Sequence, residues 1–315
     1  MTRAALALLG AFVVALVIAP ALAPYGVAQR FPEHPHAPPM PVRLDGQGIY
    51  VVPLRLRDRL RQEYEAVPGG RAALPWSAAA DEPVFLLGAD ALGRDVLSQL
   101  LLGTRPSLGL ALAATLGTLG LGALLGAWAG LSGGRVAAVI EKIGDVFLVL
   151  PTLYAVVALR AALPLVLPLG VVVVSLTAIF VLLGWPRVAR GVRAIVRAEA
   201  GREHVLAAVA IGASRWRVLT RHLLPACGGF LAVQTALLVP TFVLAESTLS
   251  YVGLGFPDGV PSWGRALADA AQVTSLTRFP WTLAPAGAIF LVVLVTNLLL
   301  DRAPRDAADA ASRAG

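Results

Sequence analysis

The sequence has few charged residues and almost no cysteine. Only 14% of its 315 residues are Asp, Glu, Lys or Arg, whereas soluble globular domains contain about 25%. This deficit argues against a soluble globular protein. The single cysteine, Cys227, excludes an intrachain disulfide and any site built from paired cysteines. Lysine occurs once, at Lys142, so arginine supplies nearly all of the positive charge behind the formal net charge of +7.

Motifs for catalysis and for nucleic-acid binding are also missing. The sequence has four histidines, His34, His36, His204 and His222. None has the spacing of an HExxH metal motif, and no GxxxxGKS or GxxxxGKT phosphate loop occurs, so the chain cannot be its own ATPase. The arginines lie in loops beside apolar segments, where membrane orientation explains them better than a nucleic-acid partner does. We therefore expect no catalytic residue, no metal site and no bound nucleic acid.

The sequence does contain apolar runs long enough to cross a bilayer. A hydrocarbon core ~30 Å thick requires about 20 apolar residues of helix, and several stretches of this length carry almost no charge. We predict an all-α integral membrane protein with six transmembrane helices. Their approximate limits are 4–23, 108–131, 137–159, 165–185, 228–251 and 281–300. The second run is rich in glycine, which lets helices approach each other closely in lipid.

The first apolar run has two interpretations. Thr2 and Arg3 resemble the basic start of a secretory signal peptide, and the ALA at 21–23 resembles a cleavage site. We favour a retained membrane helix, because the run is long for the apolar part of a signal peptide and because retention gives a consistent topology.

The distribution of arginine predicts that topology. The loop 186–225 carries eight arginines against two glutamates, which places it in the cytoplasm by the positive-inside rule. With six spans, both termini are then cytoplasmic and residues 25–104 face outside. This outer segment begins with a proline-rich stretch typical of a linker, and residues 50–65 alternate leucine with arginine in a pattern that fits either a strand or a helix.

The loop 186–225 is patterned in two parts. Its first four arginines are spaced three or four residues apart and form a basic stripe on one face of a helix: Arg187, Arg190, Arg193 and Arg197. This helix is expected to lie at the membrane surface among anionic lipid headgroups. A second helix is predicted from Glu203 to the turn at Gly212, and Ser214 is placed to cap a third. We call residues 203–217 the elbow. Its small alanine-rich tip, flanked by arginines, favours docking into a groove on another protein, and a simple connection would need far fewer residues.

The elbow resembles the EAA motif of ABC-transporter permeases, E-A-A-x3-G-x9-I-x-L-P. The residues at matching positions are Ala207, Ala208, Gly212, Leu224 and Pro225. Leu206 stands where the motif has Glu, and His222 stands where it has Ile. These departures weaken the inference of a specific salt bridge but not that of docking, and Glu203 is expected to take part of the missing polar role.

Two further stretches narrow the resemblance to the dipeptide/oligopeptide/nickel permease family. GADALGRDVLSQLLLGTRPSLGLALA at 88–113 is similar to the family's GTDxLGRDxLSRxxxGxRxSL region. LAESTLSYVGLGFPDGVPSWGRAL at 244–267 is similar to the end of its fifth span and the outer loop that follows. The matches occur in the family's order, and the resemblance covers about 87–300, with 31–82 as a less familiar insertion.

The resemblance implies the permease subunit of a type I ABC importer in the bacterial inner membrane. It implies a heterodimer with a second permease, two ABC ATPase subunits that use ATP and Mg, an extracytoplasmic solute-binding protein, and no cofactor on this chain. Peptides, nickel chelates, sugar-like molecules and other small solutes all occur in families of this kind, and a dipeptide or oligopeptide is expected by family weight alone. The implied divisions are an N-terminal transmembrane helix (1–24), an extracytoplasmic segment (25–104), a five-helix core (105–302) with its coupling loop, and a cytoplasmic tail (303–315). The residues expected to couple to the ATPases are Glu203, Ala207, Ala208, Gly212, Ala213, Ser214, Arg215 and Pro225.

Candidates for an outer cap or gate lie in the other two matching stretches. They are Asp90, Gly93, Arg94, Asp95 and Glu246. Glu246 is a carboxylate well inside an apolar run, where ionisable groups often have a function, although a structural hydrogen bond to a neighbouring helix is the alternative. For the charged residues at 90–95 we favour an internal salt-bridged cap over contact with a partner protein.

A proton-coupled secondary carrier is the main alternative function. Such carriers combine internal repeats with broken helices and charges at the membrane midplane, and the sequence shows no clear repeat and few such charges. An intramembrane enzyme would need a nucleophile–base pair or a metal set, which neither His34 with His36 nor Cys227 supplies. A scaffold that binds no ATPase leaves the elbow unexplained.

Overall fold

Helices make up most of the molecule. The computed structural model describes residues 2–46, 48–76, 83–164, 167–257, 259–271 and 273–313. The helices are α1 (Thr2–Ala21), α2 (Val96–Ser132), α3 (Gly134–Val149), α4 (Thr152–Ala161), α5 (Leu169–Ala200), α6 (Glu203–Ala210), α7 (Arg215–Val218), α8 (Leu224–Ala226), α9 (Gly228–Tyr251), α10 (Trp263–Ala270), α11 (Val273–Arg278) and α12 (Ala284–Arg313). A π-helical turn, Leu219–Leu223, joins α7 to α8, and a 3-10 turn, Pro280–Leu283, precedes α12.

Two antiparallel β-hairpins follow α1, so the prediction of an all-α fold was wrong and the class is mostly helical. The four strands are β1 (Val42–Asp45), β2 (Gly48–Val51), β3 (Leu54–Asp58) and β4 (Glu63–Ala66). β1 pairs with β2, and β3 pairs with β4 around a bulge between Leu56 and Asp58. The leucine–arginine alternation therefore belongs to a strand, where successive side chains point to opposite faces.

The described residues pack as two compact units. The first unit comprises Met1–Val13, Leu110–Ala245 and Val292–Gly315. The second comprises Val14–Gly109 and Glu246–Leu291.

The second unit contains a small core built from the segment before α2. Its buried members are Ala37, Met40, Val51, Val84, Phe85 and Ala89. The ring of Phe31 meets that of Phe85 edge to face, with centroids 5.4 Å apart. Gly93 has φ +70°, and a Cβ there would overlap the Phe31 carbonyl. The proline-rich stretch predicted as a linker is thus packed against the loop before α2.

Among the described residues, four helical segments are long and apolar enough to cross a membrane. They are Val96–Ser132, Leu169–Ala200, Gly228–Tyr251 and Pro280–Leu298. The predicted span 137–159 is not one straight helix, because α3 and α4 meet at an angle of 89°. Pro151 lies at the break and has no N–H to continue α3, and it holds Leu150 in an extended conformation. Counted as one bent span, this pair brings the total to five. Gly10–Ala21 is a shorter apolar helix.

α5 is longer than the sequence pattern indicated. The predicted span 165–185 and the basic stripe after it form one helix that continues through the buried Pro186. Two arginines of the stripe, Arg190 and Arg193, form ion pairs with Asp145 and Glu141 of α3. The stripe was predicted to face the lipid headgroups, but two of its arginines bind carboxylates of α3.

The glycines of α2 bring its backbone against α5, as their abundance predicted. A Cβ placed at Gly122 would lie 2.6 Å from Val188 Cβ, and one at Gly130 would lie 2.7 Å from a methyl of Val196. A Cβ at Gly126 would overlap the backbone carbonyl of Ala189. Any larger residue at these positions would force the two helices apart.

We predict that Gly126→Ala lowers the unfolding temperature of the purified protein, whereas Gly120→Ala does not. Overpacking a tight contact costs about 1–3 kcal/mol, and the contact at Gly126 is with backbone that cannot rotate away. At Gly120, an added Cβ would meet no atom within 4 Å, so this variant gains only helix propensity, about 1 kcal/mol. Thermal unfolding in detergent measures both. Equal shifts for the two variants would contradict the close α2–α5 packing.

Candidate functional site

The elbow has the helix–turn–helix structure that its sequence predicted. α6 ends at Ala210, and Gly212 adopts φ +85°, a left-handed conformation that glycine tolerates best. The Ser214 hydroxyl then accepts a hydrogen bond from the Arg217 backbone N–H at 3.3 Å, capping α7. The local capping signals alone thus fix where α6 ends and where α7 begins.

The elbow is anchored in the apolar core of the first unit. Val205 of α6 and Val218, the last residue of α7, are 2% and 5% exposed. They join a buried cluster that includes Val188 and Val196 of α5 and Ala127 of α2. Val188 and Val196 are also the residues that face the glycines of α2. The base of the elbow therefore contacts the same surface of α5 that packs on α2.

The opposite face of the elbow is apolar and exposed. Leu206 and Val209 are each more than half exposed, Trp216 is 70% exposed and Ile211 is 87% exposed. Ala207 is also exposed, and Ala213 is partly buried against the core. A run of apolar side chains turned away from their own core is typical of a protein contact surface.

Charges near the elbow differ from those expected. Glu203, which was expected to replace the missing motif glutamate, is exposed and forms no ion pair among the described residues. Glu199 at the end of α5 forms an ion pair with Arg202 at 3.2 Å instead, and it lies 3.4 Å from Nε2 of His204. Arg215 is exposed beside the apolar face. Sequence reasoning missed Glu199, although its spacing from Arg202 is that of a helical ion pair.

Pro225 follows the π-helical turn that leads from α7 to the membrane segment α9. Proline cannot donate a backbone hydrogen bond, and its ring crowds the carbonyl four residues earlier. Widened turns of this kind accommodate such a disruption. Leu223, inside the turn, is fully buried in the same cluster as Val205. The end of the motif therefore connects the elbow to α9 through buried residues.

Two of the residues predicted to form an outer cap, Asp90 and Arg94, form an ion-pair cluster with Asp269 in the second unit. Arg94 Nε lies 2.6 Å from Asp90, and Arg94 Nη2 lies 3.0 Å from Asp269. The other carboxylate oxygen of Asp90 accepts the backbone N–H groups of Leu92 and Arg94, each at 2.9 Å, around the turn at Gly93. Asp269 was missed because it lies 175 residues from Arg94 in sequence.

Asp95 does not belong to this ion-pair cluster. It caps α2 by accepting hydrogen bonds from the Ser98 backbone N–H at 2.7 Å and the Ser98 hydroxyl at 2.6 Å. Its second carboxylate oxygen has no partner among the described residues. Burial in this environment raises the pKa of Asp95 to about 6, despite the opposing hydrogen bonds from Ser98.

Glu246 is fully buried and connects three helices. Its carboxylate accepts the hydroxyl of Ser107 in α2 at 3.1 Å and the hydroxyl of Ser250 in α9 at 2.6 Å. The Ser107 oxygen in turn accepts the backbone N–H of Trp263, at the start of α10, at 3.0 Å. These contacts include a hydrogen bond to a neighbouring helix, which was the structural alternative to a gating role for Glu246. Neither serine partner of Glu246 was predicted, although both serines lie in the two stretches that match the permease family.

Comparison with known proteins gives consistent matches. A family model described as a binding-protein-dependent transport system inner membrane component matches residues 122–306. The oligopeptide transport system permease protein OppC of Bacillus subtilis is 35% identical over 223 residues, which cover 70% of each chain. The di/tripeptide transport system permease protein DppC of Pseudomonas aeruginosa is 36% identical over 226 residues, covering 71% of this chain and 72% of the relative. OppC of Lactococcus lactis subsp. lactis is 30% identical over 224 residues, covering 71% and 74%.

We predict that Asp95→Asn flattens the dependence of stability on pH. Because the pKa of Asp95 is raised from 3.8 to about 6 on folding, its contribution is most favourable below about pH 4 and is lost as the pH rises to about 6. At 1.36 kcal/mol per pKa unit, the loss is roughly 3 kcal/mol. Asparagine caps helices as well as aspartate does, so the variant should be the more stable form at pH 7 and the two should converge near pH 4.

Thermal unfolding between pH 4 and pH 7 measures this difference, with Glu33→Gln as the control at an exposed carboxylate. A wild-type protein that becomes more stable than the Asp95 variant as the pH rises would contradict the assignment.

Proposed function

Because the chain belongs to the family of binding-protein-dependent transport system inner membrane components, we propose that its elbow receives an ATPase subunit and couples ATP hydrolysis there to the movement of short peptides. The chain is a multi-pass permease subunit of the inner membrane and is not itself an enzyme. The ATPase partner with its ATP and Mg, and the peptide as the transported solute, belong to the proposal.

One observation carries the coupling role, namely that the elbow has an exposed apolar face and a buried base. The exposed face offers Leu206, Val209 and Ile211 to a partner, and burying them would stabilise the contact. Leu206 occupies the motif's glutamate position, so we propose an apolar contact there instead of a salt bridge. Arg215 lies beside this face and suits an acidic margin on the partner's groove.

The buried base explains how a pull on the elbow reaches the membrane helices. Val205 and Val218 are packed into the α5 core, and protein interiors are close-packed and transmit displacement. Closure of two ATPases around ATP would carry the elbow with them, and α5 and α2 would move with it. ATP can shift the equilibrium between two conformations of the transporter only if it binds one of them more tightly than the other. Because this chain binds no ATP in the proposal, that difference reaches it through the ATPase contact at the elbow.

The proposed topology has six spans. They are α1, α2, the α3–α4 pair, α5, α9 and α12, with both termini and the 186–225 loop in the cytoplasm and residues 25–104 outside. The arginine-rich loop supports this orientation. The divisions stay as predicted from the sequence, at 1–24, 25–104, 105–302 and 303–315. The proposed partners are a second permease, two ABC ATPases, an extracytoplasmic binding protein and membrane lipid.

The proposed solute is a dipeptide or oligopeptide. The similar proteins from Bacillus subtilis and Pseudomonas aeruginosa are named as oligopeptide and di/tripeptide permeases. Asp90, Gly93, Arg94, Asp95 and Glu246 are proposed to form a rigid outer cap. In support, their side chains, where present, are held by hydrogen bonds within the second unit.

Site-directed crosslinking tests the coupling role. In a Cys227→Ser background, cysteine at Ala207 or Ile211 should crosslink to co-expressed ATPase subunits, with a yield that changes when ATP is added. Both positions are exposed, so the substitutions leave the core intact. Cysteine at Leu60, which is 96% exposed in the second unit, is the control and should give no crosslink.

Absence of crosslinks from both elbow positions, in membranes where the protein is folded and the ATPases are present, would contradict the proposal.

A further inference from the structure

A cavity of about 600 Å³ lies within the second unit, outside the elbow. Its walls come from the stretch after α1, from the loop before α2, and from the chain between the end of α9 and the start of α12. The volume is in the range of sites that hold small organic ligands. The outer-cap residues Asp90 and Arg94 form part of its lining.

The two carboxylates that line the cavity are already neutralised. Asp90 and Asp269 both bind Arg94, at 2.6 Å and 3.0 Å. Asp90 also accepts two backbone N–H groups. An additional cation would therefore find no uncompensated carboxylate among the lining residues.

The described lining residues include three arginines. Besides Arg94 they include Arg265, whose Nε lies 3.5 Å from Asp269, and Arg30. Arg30 is exposed and forms no ion pair within the part of the chain that the structure describes. Among the described lining residues, Arg30 is therefore the arginine that has no carboxylate partner. His36 adds no charge at neutral pH, because burial lowers its pKa despite the nearby Asp90.

Apolar and aromatic surfaces lie beside these arginines. Val96 and Val260 contribute aliphatic walls. The imidazole of His36, also part of the lining, stacks on Phe279 with ring centroids 4.0 Å apart. Ser262 lines the cavity and caps α10, and the backbone N–H of the next residue, Trp263, donates to Ser107, which itself donates to Glu246. The cavity therefore suits a molecule with an apolar body and one anionic end, held beside the Glu246 network.

We propose that this cavity binds the C-terminal carboxylate and an apolar side chain of a short peptide, with Arg30 as the carboxylate ligand. The proposal rests on the proposed function, since it takes a peptide as the solute, and it adds a site on the permease itself. Arginine suits this role because its planar guanidinium matches the geometry of a carboxylate.

Photolabelling tests the site in the transporter assembled from this chain, its partner permease and the ATPases, in lipid nanodiscs without the binding protein. The probes are leucyl-p-benzoylphenylalanine and its C-terminal amide, and mass spectrometry locates the labelled segments. The acid should label the segments that contain Leu92 or Val260 about tenfold more than the amide does, as expected when a hydrogen-bonded ion pair is lost.

Arg30→Gln should reduce labelling by the acid toward the level of the amide. Because Arg30 is exposed and has no described ion pair, this variant should fold normally. Arg59→Gln, at another exposed arginine of the same unit, is the matched control and should leave the preference for the acid unchanged.

Equal labelling by acid and amide, or an Arg30 variant that keeps the full preference, would overturn the site. The elbow crosslinks can be measured in the same preparation. Crosslinks without a carboxylate preference would remove only the cavity proposal, whereas their absence would remove the proposed function.

Discussion

Packing between α2 and α5 depends on how closely the two backbones approach, because helices in lipid gain no hydrophobic free energy from contact with each other. The glycines of α2 allow that approach, and Val188 and Val196 of α5 occupy the space. The same cluster receives Val205 and Val218 from the elbow. One layer of valines therefore holds a membrane helix pair on one side and the elbow on the other. Any force on the elbow is applied to a surface already fixed against α2.

The second unit is held by a different kind of interaction. Glu246 would be costly to bury alone, but its carboxylate accepts two serine hydroxyls, and one of those serines also accepts the backbone N–H of Trp263. Hydrogen bonds of this kind are strong where water is excluded, and breaking one leaves an unsatisfied buried group. Together with the Asp90–Arg94–Asp269 cluster, they make a stiff polar framework around the cavity. The proposed peptide site thus lies in a rigid setting.

Local signals in the sequence were enough to predict some features and not others. The elbow was predictable because a glycine turn and a serine cap are decided within a few residues. The glycine content of α2 predicted a close approach to another helix, but it did not predict that this helix is α5. In contrast, the break at Pro151 and the continuity of α5 through Pro186 involve the same residue type with opposite outcomes. Packing of neighbouring helices decides between them. The partner of Arg94 at Asp269 was equally out of reach, because only the fold brings the two residues together.

If the elbow moves as one body with α5 and α2, then distances within the first unit stay constant when ATP binds. Spin labels at Val209 and Leu124, both exposed, would be measured by double electron–electron resonance in the assembled transporter with and without bound ATP. The distance distribution should be the same with and without bound ATP, because the buried valine cluster keeps the elbow fixed on α5 and α2. A shift of several ångströms on ATP binding would contradict it, since the elbow would then move independently of the helices it is proposed to drive.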